Sequence, residues 1–175
     1  SLLANREGEQ IFASSLTLID DGTLSKGLAS APFDGEGRPT QRTVLIENGK
    51  YVSPLFDSYY AQKLGRTSTS NSTRGIKSPP SIGTTNLYLD PGAQSLEQLM
   101  KECSQGVMIT GLMGVHTANP VTGDFSLGAS GILIENGELT QPIRGFAIAG
   151  NVLKLFGSCE SVGNDLRFFG SVGAP

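Results

Sequence analysis

Five carboxylates beside turn-forming residues are the side chains of this sequence best suited to proton transfer. Paired carboxylates can share the roles of general acid and general base in a reaction. A carboxylate next to glycine or another turn former commonly accepts hydrogen bonds from nearby backbone N–H groups instead. We therefore expect a mainly structural role for these five residues, which are Asp20, Asp21, Asp34, Glu36 and Asp124.

Metal-dependent hydrolysis needs a different set of donors, and the sequence is poor in them. A catalytic zinc site uses about three protein ligands and a general base beside the metal-bound water. The chain has one histidine, His116, with no second ligand nearby in sequence. We expect an ordinary loop histidine, with contact to a peptide or partner as the alternative. We predict no metal ligand and no catalytic residue in this chain.

A glycine-rich stretch over residues 119–131 is the most distinctive part of the sequence. It lacks the glycine spacing of phosphate-binding loops, and its serines lie outside the frame of a nucleophile elbow. We expect a polar loop whose Thr122, Gly123 and Asp124 face a substrate or a partner. Pairing of an extended peptide with the following strand, a subunit interface and a tight strand crossing inside the domain all remain open.

Two hairpins and three helices would position these residues. Asn48-Gly49 and Asn136-Gly137 each follow a β-branched run and predict the turns of hairpins over 43–52 and 130–142, the first of them a type I′ turn. A proline and a short helical pattern follow each hairpin, which indicates a weak internal duplication. Further strands are expected at 11–19, 85–89 and 107–113, and helices near 56–64, 95–103 and 151–156, the second opened by a Ser95–Gln98 capping box.

The element pattern predicts an α+β fold. We expect a mostly antiparallel sheet or partly closed barrel, built from duplicated hairpin-plus-helix units and covered by the three short helices. Residues 66–81 are rich in Ser and Thr and lack periodicity, so we expect a mobile loop or interface arm there. The length of 175 residues fits one domain.

Composition excludes several functional classes. Charged residues make up 17% and the net charge is −3, which argues against a nucleic-acid surface. No apolar run is long enough to span a membrane. Cys103 and Cys159 have no metal or redox spacing, so we expect two buried, reduced thiols and a cytoplasmic protein.

Six motifs lie in order along nearly the whole chain. They are Leu-Ile-Asp-Asp (18–21), the Gly-Leu-Ala-Ser-Ala-Pro-Phe-Asp-Gly-Glu-Gly-Arg-Pro-Thr stretch (27–40), Leu-Ile-Glu-Asn-Gly (45–49), Thr-Asn-Leu-Tyr-Leu-Asp-Pro-Gly (85–92), Val-Thr-Gly-Asp-Phe-Ser (121–126) and Val-Gly-Asn-Asp-Leu (162–166). Together they resemble the C-terminal domain of the TldD/PmbA family, the "modulator of DNA gyrase" metallopeptidases. The resemblance is closer to the PmbA (TldE) branch.

The resemblance implies a zinc peptidase assembly, but this chain departs from its catalytic branch. Catalytic TldD-type members are expected to carry a His-Glu-x-x-x-His helix just before the matched region and a cysteine ligand about ten residues after Gly-Asn-Asp-Leu. Residues 167–175 contain no cysteine, and Cys159 precedes the motif. We therefore expect zinc on a TldD-like catalytic partner, and no cofactor in this chain.

The resemblance also implies the substrates, which are peptides, unfolded proteins and precursors of peptide antibiotics. Loops 33–37 and 122–128 are expected to contact the substrate or the partner, and Asn164 and Asp165 to order the last turn. The residues singled out are Phe33, Asp34, Glu36, His116, Thr122, Gly123, Asp124, Asn164 and Asp165.

Two other functions stay open at this point. The chain could be a fragment of a self-sufficient metallopeptidase, since both ends look cut and the metal helix would precede Ser1. It could also belong to an adaptor that binds peptides without hydrolysing them. The partner would be a TldD-like subunit or further copies of the same chain.

Overall fold

The computed structural model describes residues 2–175 and shows the expected α+β fold, mostly strands with three short helices. The helices are α1 (Ser58–Lys63), α2 (Leu96–Glu102) and α3 (Val152–Gly157). The strands are β1 (Leu18–Asp21), β2 (Arg42–Glu47), β3 (Lys50–Tyr51), β4 (Ser72–Thr73), β5 (Ser81–Ile82), β6 (Leu87–Leu89), β7 (Gln105–Met113), β8 (Asp124–Glu135), β9 (Glu138–Asn151), β10 (Arg167–Phe169) and β11 (Val172–Ala174).

A six-stranded sheet forms the body of the domain. Its strand order is β10-β11-β6-β1-β2-β3, and every pair is antiparallel except β11 with β6. Strand β1 lies inside this sheet and ends in two buried aspartates. Phe12, Leu16, Ile46 and Tyr51 form the apolar core cluster against one end of the sheet. Residues from the predicted 11–19 strand therefore supply the core, but only 18–21 form the strand.

A separate three-stranded antiparallel meander, β7-β8-β9, carries the second hairpin. Both residues of the Asn48-Gly49 turn have positive φ, which confirms the type I′ prediction, and both residues of Asn136-Gly137 have positive φ as well. The hairpin is longer than predicted, because β8 begins at residue 124 and β9 ends at residue 151. The sheets are mostly antiparallel, as predicted, and among residues 2–175 they form open layers rather than a closed barrel.

Side-chain caps set the helix starts. Asp57 accepts a hydrogen bond from the Tyr60 backbone N–H at 2.7 Å, and Asn151 accepts one from Leu153 at 3.0 Å. The capping box predicted at Ser95 and Gln98 is confirmed. No residue of α2 is buried, and Leu96 is 43% exposed. No helix among residues 2–175 combines the length and apolar character needed to cross a membrane.

The serine-rich segment divides into two parts. Residues 68–72 are buried and bound by hydrogen bonds to the body of the domain, whereas residues 73–81 are exposed. Polar side chains are buried only where hydrogen bonds replace those lost from water. The expectation of a mobile segment over 66–81 is therefore kept as a proposal only for its outer part.

Candidate functional site

Asp20 is the centre of a buried polar network on β1. Its side chain is 1% exposed, and both carboxylate oxygens accept hydrogen bonds. Asn71 Nδ2 donates to Oδ2 at 2.6 Å, while the Thr85 backbone N–H and hydroxyl donate at 2.7 and 2.8 Å. The carboxylate thus joins β1 to the serine-rich segment and to Thr85, which lies just before β6. Its oxygens are used for structure, so proton transfer to a substrate is not favoured.

Loop 33–37 is organised by one carboxylate. Asp34 Oδ1 accepts from the backbone N–H groups of Glu36 and Arg38 at 3.0 and 2.9 Å, and Oδ2 accepts from Ser72 N at 3.2 Å. Glu36 reaches the first residue of α1 and accepts from Ser58 N at 2.9 Å. Phe33 stays 57% exposed. The loop is held rigidly from within, and its aromatic side chain is left available for contact.

The glycine-rich stretch is a strand rather than a long loop. It pairs with β9 from Asp124 onward and with β7 from Gly128 onward, with Phe125 opposite Gly150 and Gly131 opposite Ile109. A polar loop over 123–131 was therefore a wrong prediction. Its glycines instead pack at close strand crossings, since a Cβ on Gly131 would lie 2.5 Å from the Met108 carbonyl oxygen.

Thr122, Gly123 and Asp124 sit where β8 begins, beside the end of β9. Asn151 Nδ2 donates to the Thr122 carbonyl and to Asp124 Oδ1, each at 2.8 Å. The Asn151 hydrogen bond, followed by Thr122 and the positive charge of Lys154, lowers the pKa of the Asp124 carboxyl. Asp124 is therefore an ionised, exposed acceptor at physiological pH, suited to receiving a hydrogen bond but not to donating a proton.

His116 lies in the 3-10 turn Val115–Thr117, between β7 and the turn that leads into β8. It is exposed, and its neighbours supply no cluster of carboxylates or thiols. At the other end of the chain, Asn164 donates from its backbone N–H to the Gln94 carbonyl at 2.9 Å, and Asp165 Oδ2 lies 4.0 Å from Arg167. Asn164 and Asp165 thus border the approach to α2.

The structure joins some of the predicted residues and leaves others apart. Thr122 and Asp124 share Asn151 as a partner, and Asp34 and Glu36 share one rigid loop. Within residues 2–175, no hydrogen bond links the 33–37 loop, the start of β8 and the Asn164 turn to one another. They are three separate surface features rather than one catalytic centre.

The structure has an apolar cleft of about 320 Å³ that the sequence did not predict. It lies over one face of the six-stranded sheet, between β1, β6 and β11 and the aromatic ring of Phe156 on α3. Alternation along short strands of three or four residues gives too little pattern to reveal such a surface. The cleft walls lack charged groups, so it offers packing rather than chemistry. Its lining residues are Phe12, Leu16, Leu18, Ile46, Leu87, Leu89, Phe156, Val172, Gly173 and Ala174.

The donor set does not fit a zinc ion. In the described part of the chain, no three side chains from His, Cys, Asp and Glu approach closely enough to hold a metal. Cys103 and Cys159 are free and half-buried, rather than buried as predicted, and the Cys159 thiol lies against the Ser161 carbonyl at 3.4 Å. A zinc site requires convergent nitrogen, sulfur or carboxylate donors, and these residues do not converge.

The sequence matches, over residues 1–175, the family described as the PmbA/TldA metallopeptidase C-terminal domain. It is 37% identical to the metalloprotease PmbA of Escherichia coli O157:H7, over 95% of this chain and 35% of that protein. A crystal structure of TldE from Thermococcus kodakarensis matches with a TM-score of 0.89 and 35% identity, over 99% of this chain and 40% of that one.

A second solved structure agrees. It is a Thermotoga maritima protein described as a modulator of a DNA gyrase, with a TM-score of 0.93 and 38% identity over 100% of this chain and 40% of that one. The chain therefore spans about two fifths of the length of these relatives, and it corresponds to the C-terminal part by the family description.

Proposed function

Because the chain belongs to the PmbA/TldA metallopeptidase family, in its C-terminal domain, we propose that it serves as a PmbA/TldE-like subunit of a zinc metallopeptidase assembly. In this proposal the zinc and the general base sit on a TldD-like partner, and the substrates are peptides or unfolded protein segments. A cytoplasmic location belongs to the same proposal.

The observation that carries the proposal is the donor chemistry of the chain. The only histidine, His116, is exposed, and among residues 2–175 neither it nor either cysteine belongs to a group of three donors that could hold a metal. A domain without convergent donors contributes to a peptidase by shaping or completing a site whose metal ligands lie elsewhere, and in this proposal they lie on another subunit.

Two rigid surface features fit that supporting role. In the 33–37 loop, Phe33 is exposed, and the carboxylate of Asp34 accepts hydrogen bonds from the backbone of the loop itself. At the Thr122–Asp124 corner, the ionised carboxylate of Asp124 is an exposed hydrogen-bond acceptor. Both are preformed, so contact with a partner or a peptide requires little ordering of the chain. Loop 33–37 and the Thr122–Asp124 corner would therefore line the access route to the active site of the partner.

Peptide hydrolysis by three preparations tests the proposal: this protein alone, a TldD-like subunit alone, and the two mixed. We expect turnover of an unfolded protein substrate in the mixture at a rate above the sum of the separate preparations. Turnover by this protein alone would instead support a self-sufficient metallopeptidase. Complex formation with a substrate but no hydrolysis in any preparation would support the adaptor function.

A matched pair of variants locates the contact. Phe33→Ala removes an exposed ring without touching the hydrogen bonds of the loop, whereas Tyr59→Ala removes a similarly exposed ring from α1. Phe33→Ala is expected to lower the rate of the mixture several-fold, and Tyr59→Ala to leave it unchanged. Equal rates for Phe33→Ala and the unaltered protein would exclude this loop from the access route.

A further inference from the structure

A cavity of about 530 Å³ lies between residues 3–7, β3 and the turn that follows α1. Its volume falls within the range of about 300–1,000 Å³ typical of small-ligand sites. Leu3, Pro54, Phe56 and Leu64 supply apolar walls. Neither the 33–37 loop nor the Thr122–Asp124 corner contributes to the lining, so this cavity is separate from the surface features described above.

Backbone hydrogen bonds hold the walls of the cavity in place. The Tyr51 carbonyl accepts from Gly8 N at 2.7 Å, and Tyr51 N donates to the Glu9 carbonyl at 2.9 Å, so β3 is tied to the segment before it. On the opposite side, Arg66 N donates to the Ala61 carbonyl of α1 at 2.8 Å. A cavity with walls fixed in this way loses little conformational entropy when a ligand binds.

An ion pair belongs to the lining. Arg66 Nη2 lies 2.5 Å from Glu7 Oε2, although the two residues are far apart in sequence. The contact uses one nitrogen of the guanidinium and one oxygen of the carboxylate, so each group can bind a further partner. The adjacent Arg6 is paired with Glu9 at 2.8 Å and does not line the cavity. The cavity therefore offers one cation and one anion side by side.

A buried tyrosine supplies a third polar group. Tyr51 lines the cavity although only 6% of it is exposed. Its hydroxyl makes no hydrogen bond to any group of residues 2–175, and it is not among the enclosed oxygens that lack a partner. Burial, followed by the Glu7 carboxylate, raises the pKa of Tyr51, so the hydroxyl stays protonated at neutral pH. A buried polar group without a partner is suited to bind a ligand.

The paired charges decide the class of ligand. A singly charged ligand would be attracted by one partner of the Glu7–Arg66 pair and repelled by the other, and an uncharged ligand would gain from neither. A zwitterion can place its carboxylate on the guanidinium and its ammonium group on the carboxylate, so that every charge is paired. The apolar walls then favour a zwitterion that also carries an apolar side chain.

We propose that this cavity binds a short zwitterion with an apolar side chain, which is the chemistry shared by apolar α-amino acids and dipeptides. Arg66 and the Tyr51 hydroxyl donate to the ligand carboxylate, and Glu7 accepts from its ammonium group. The ligand side chain packs against Phe56 and Leu64. The inference stands on the cavity alone and does not depend on the proposed metallopeptidase function.

Titration calorimetry on this protein tests the proposal, with L-leucine and L-leucyl-L-leucine as the probes. Three further probes each lack one feature: N-acetyl-L-leucine lacks the ammonium group, L-leucine amide lacks the carboxylate, and glycine lacks the side chain. Each of these should bind about tenfold more weakly than L-leucine or not at all, because one contact with the cavity is lost. Binding of L-leucine alone or of the dipeptide alone supports the proposal and identifies the source of the ligand.

Variants assign the two charges. Arg66→Gln and Glu7→Gln should each weaken binding by about tenfold. Arg66→Gln should also bind L-leucine and L-leucine amide equally, and Glu7→Gln should bind L-leucine and N-acetyl-L-leucine equally. A merely structural role for the ion pair would not produce these changes of selectivity. Tyr51→Phe keeps the ring and should weaken binding several-fold.

Arg6→Gln is the matched control, since it breaks the neighbouring Arg6–Glu9 pair outside the lining and should leave the affinity unchanged. Circular dichroism and thermal unfolding show whether each variant is folded. The proposal is overturned if neither L-leucine nor the dipeptide binds to the unaltered protein. It is also overturned if the blocked probes bind as tightly as L-leucine, or if folded Arg66→Gln and Glu7→Gln keep full affinity.

Discussion

Replacing Asp20 tests the buried network that ties the buried segment 68–72 to the centre of the main sheet. Asp20→Ala removes a carboxylate that accepts three hydrogen bonds, from Asn71 Nδ2 and from the backbone and hydroxyl of Thr85. A hydrogen bond to a charged group contributes about 1.5–3 kcal/mol, and buried donors left without acceptors cost about 1–3 kcal/mol each. Asn71 keeps its longer contact to the Gly83 carbonyl at 3.3 Å, which reduces the loss.

We therefore expect Asp20→Ala to lower the free energy of unfolding by about 3–5 kcal/mol. Asp20→Asn keeps the shape and one acceptor oxygen but places an amide donor against other donors, and it should lose about 2 kcal/mol. These are large fractions of a domain stability of about 5–15 kcal/mol.

Urea unfolding at neutral pH measures the change, with the slope of the transition checked for constancy. Asp165→Asn is the matched control, since Asp165 is exposed and its one ion pair is 4.0 Å long. It should change the free energy of unfolding by less than about 0.5 kcal/mol. A loss below about 1 kcal/mol for Asp20→Ala would refute the reasoning, because the buried network would then contribute little.

Three further predictions concern the start of β8, the first hairpin and the serine-rich segment. In a carboxyl NMR titration, the pKa of Asp124 should lie below its ordinary value, and it should rise in Asn151→Ala. Because folding lowers this pKa, the ionised carboxylate contributes to stability at a pH above the pKa of the unfolded chain. That contribution is lost as the pH falls through the pKa of the folded protein. An unchanged Asp124 pKa in the variant would contradict the assigned cause. Gly49→Ala should unfold far more easily than Gly37→Ala: both glycines have φ near +80°, but only at Gly49 would a Cβ meet other atoms, the closest at 2.2 Å. Hydrogen exchange should be fast at residues 73–81 and slow at residues 68–72; uniform protection over 68–81 would count against a mobile outer segment.

Local chemistry could be predicted from the sequence where a few neighbouring residues decide it. The Asn48-Gly49 turn and the Ser95–Gln98 capping box depend on backbone conformation and side-chain reach within four residues, and both are confirmed. The α+β class follows from the same local signals. Helix positions are correct to within about two residues because caps such as Asp57 fix their starts.

Long-range pairing could not be predicted in the same way. The glycine-rich stretch has loop-like composition, yet β7 and β9 supply hydrogen-bonding partners on both sides and make it a strand. Burial of residues 68–72 depends on Asp20, which lies some fifty residues away in sequence. The polar composition of that segment gives no sign of this partner, so it resembles a mobile loop.

The candidate site shows a similar division. Sequence patterns identified Asp34, Glu36 and Asp124 as turn carboxylates, and the structure gives each a specific hydrogen-bond partner. Sequence patterns could not show that the 33–37 loop, the start of β8 and the Asn164 turn lie apart, and they could not reveal the apolar cleft. Both features depend on how the three sheets pack. The contact function of these residues stays a prediction.

Zinc stoichiometry measured by plasma mass spectrometry tests the central claim most directly, on this protein alone and on its complex with a TldD-like subunit after exhaustive dialysis. The account predicts about one zinc per complex and no retained zinc on this protein alone, since its donors do not converge. One tightly retained zinc per molecule of this protein, removed by His116→Ala, would contradict the account.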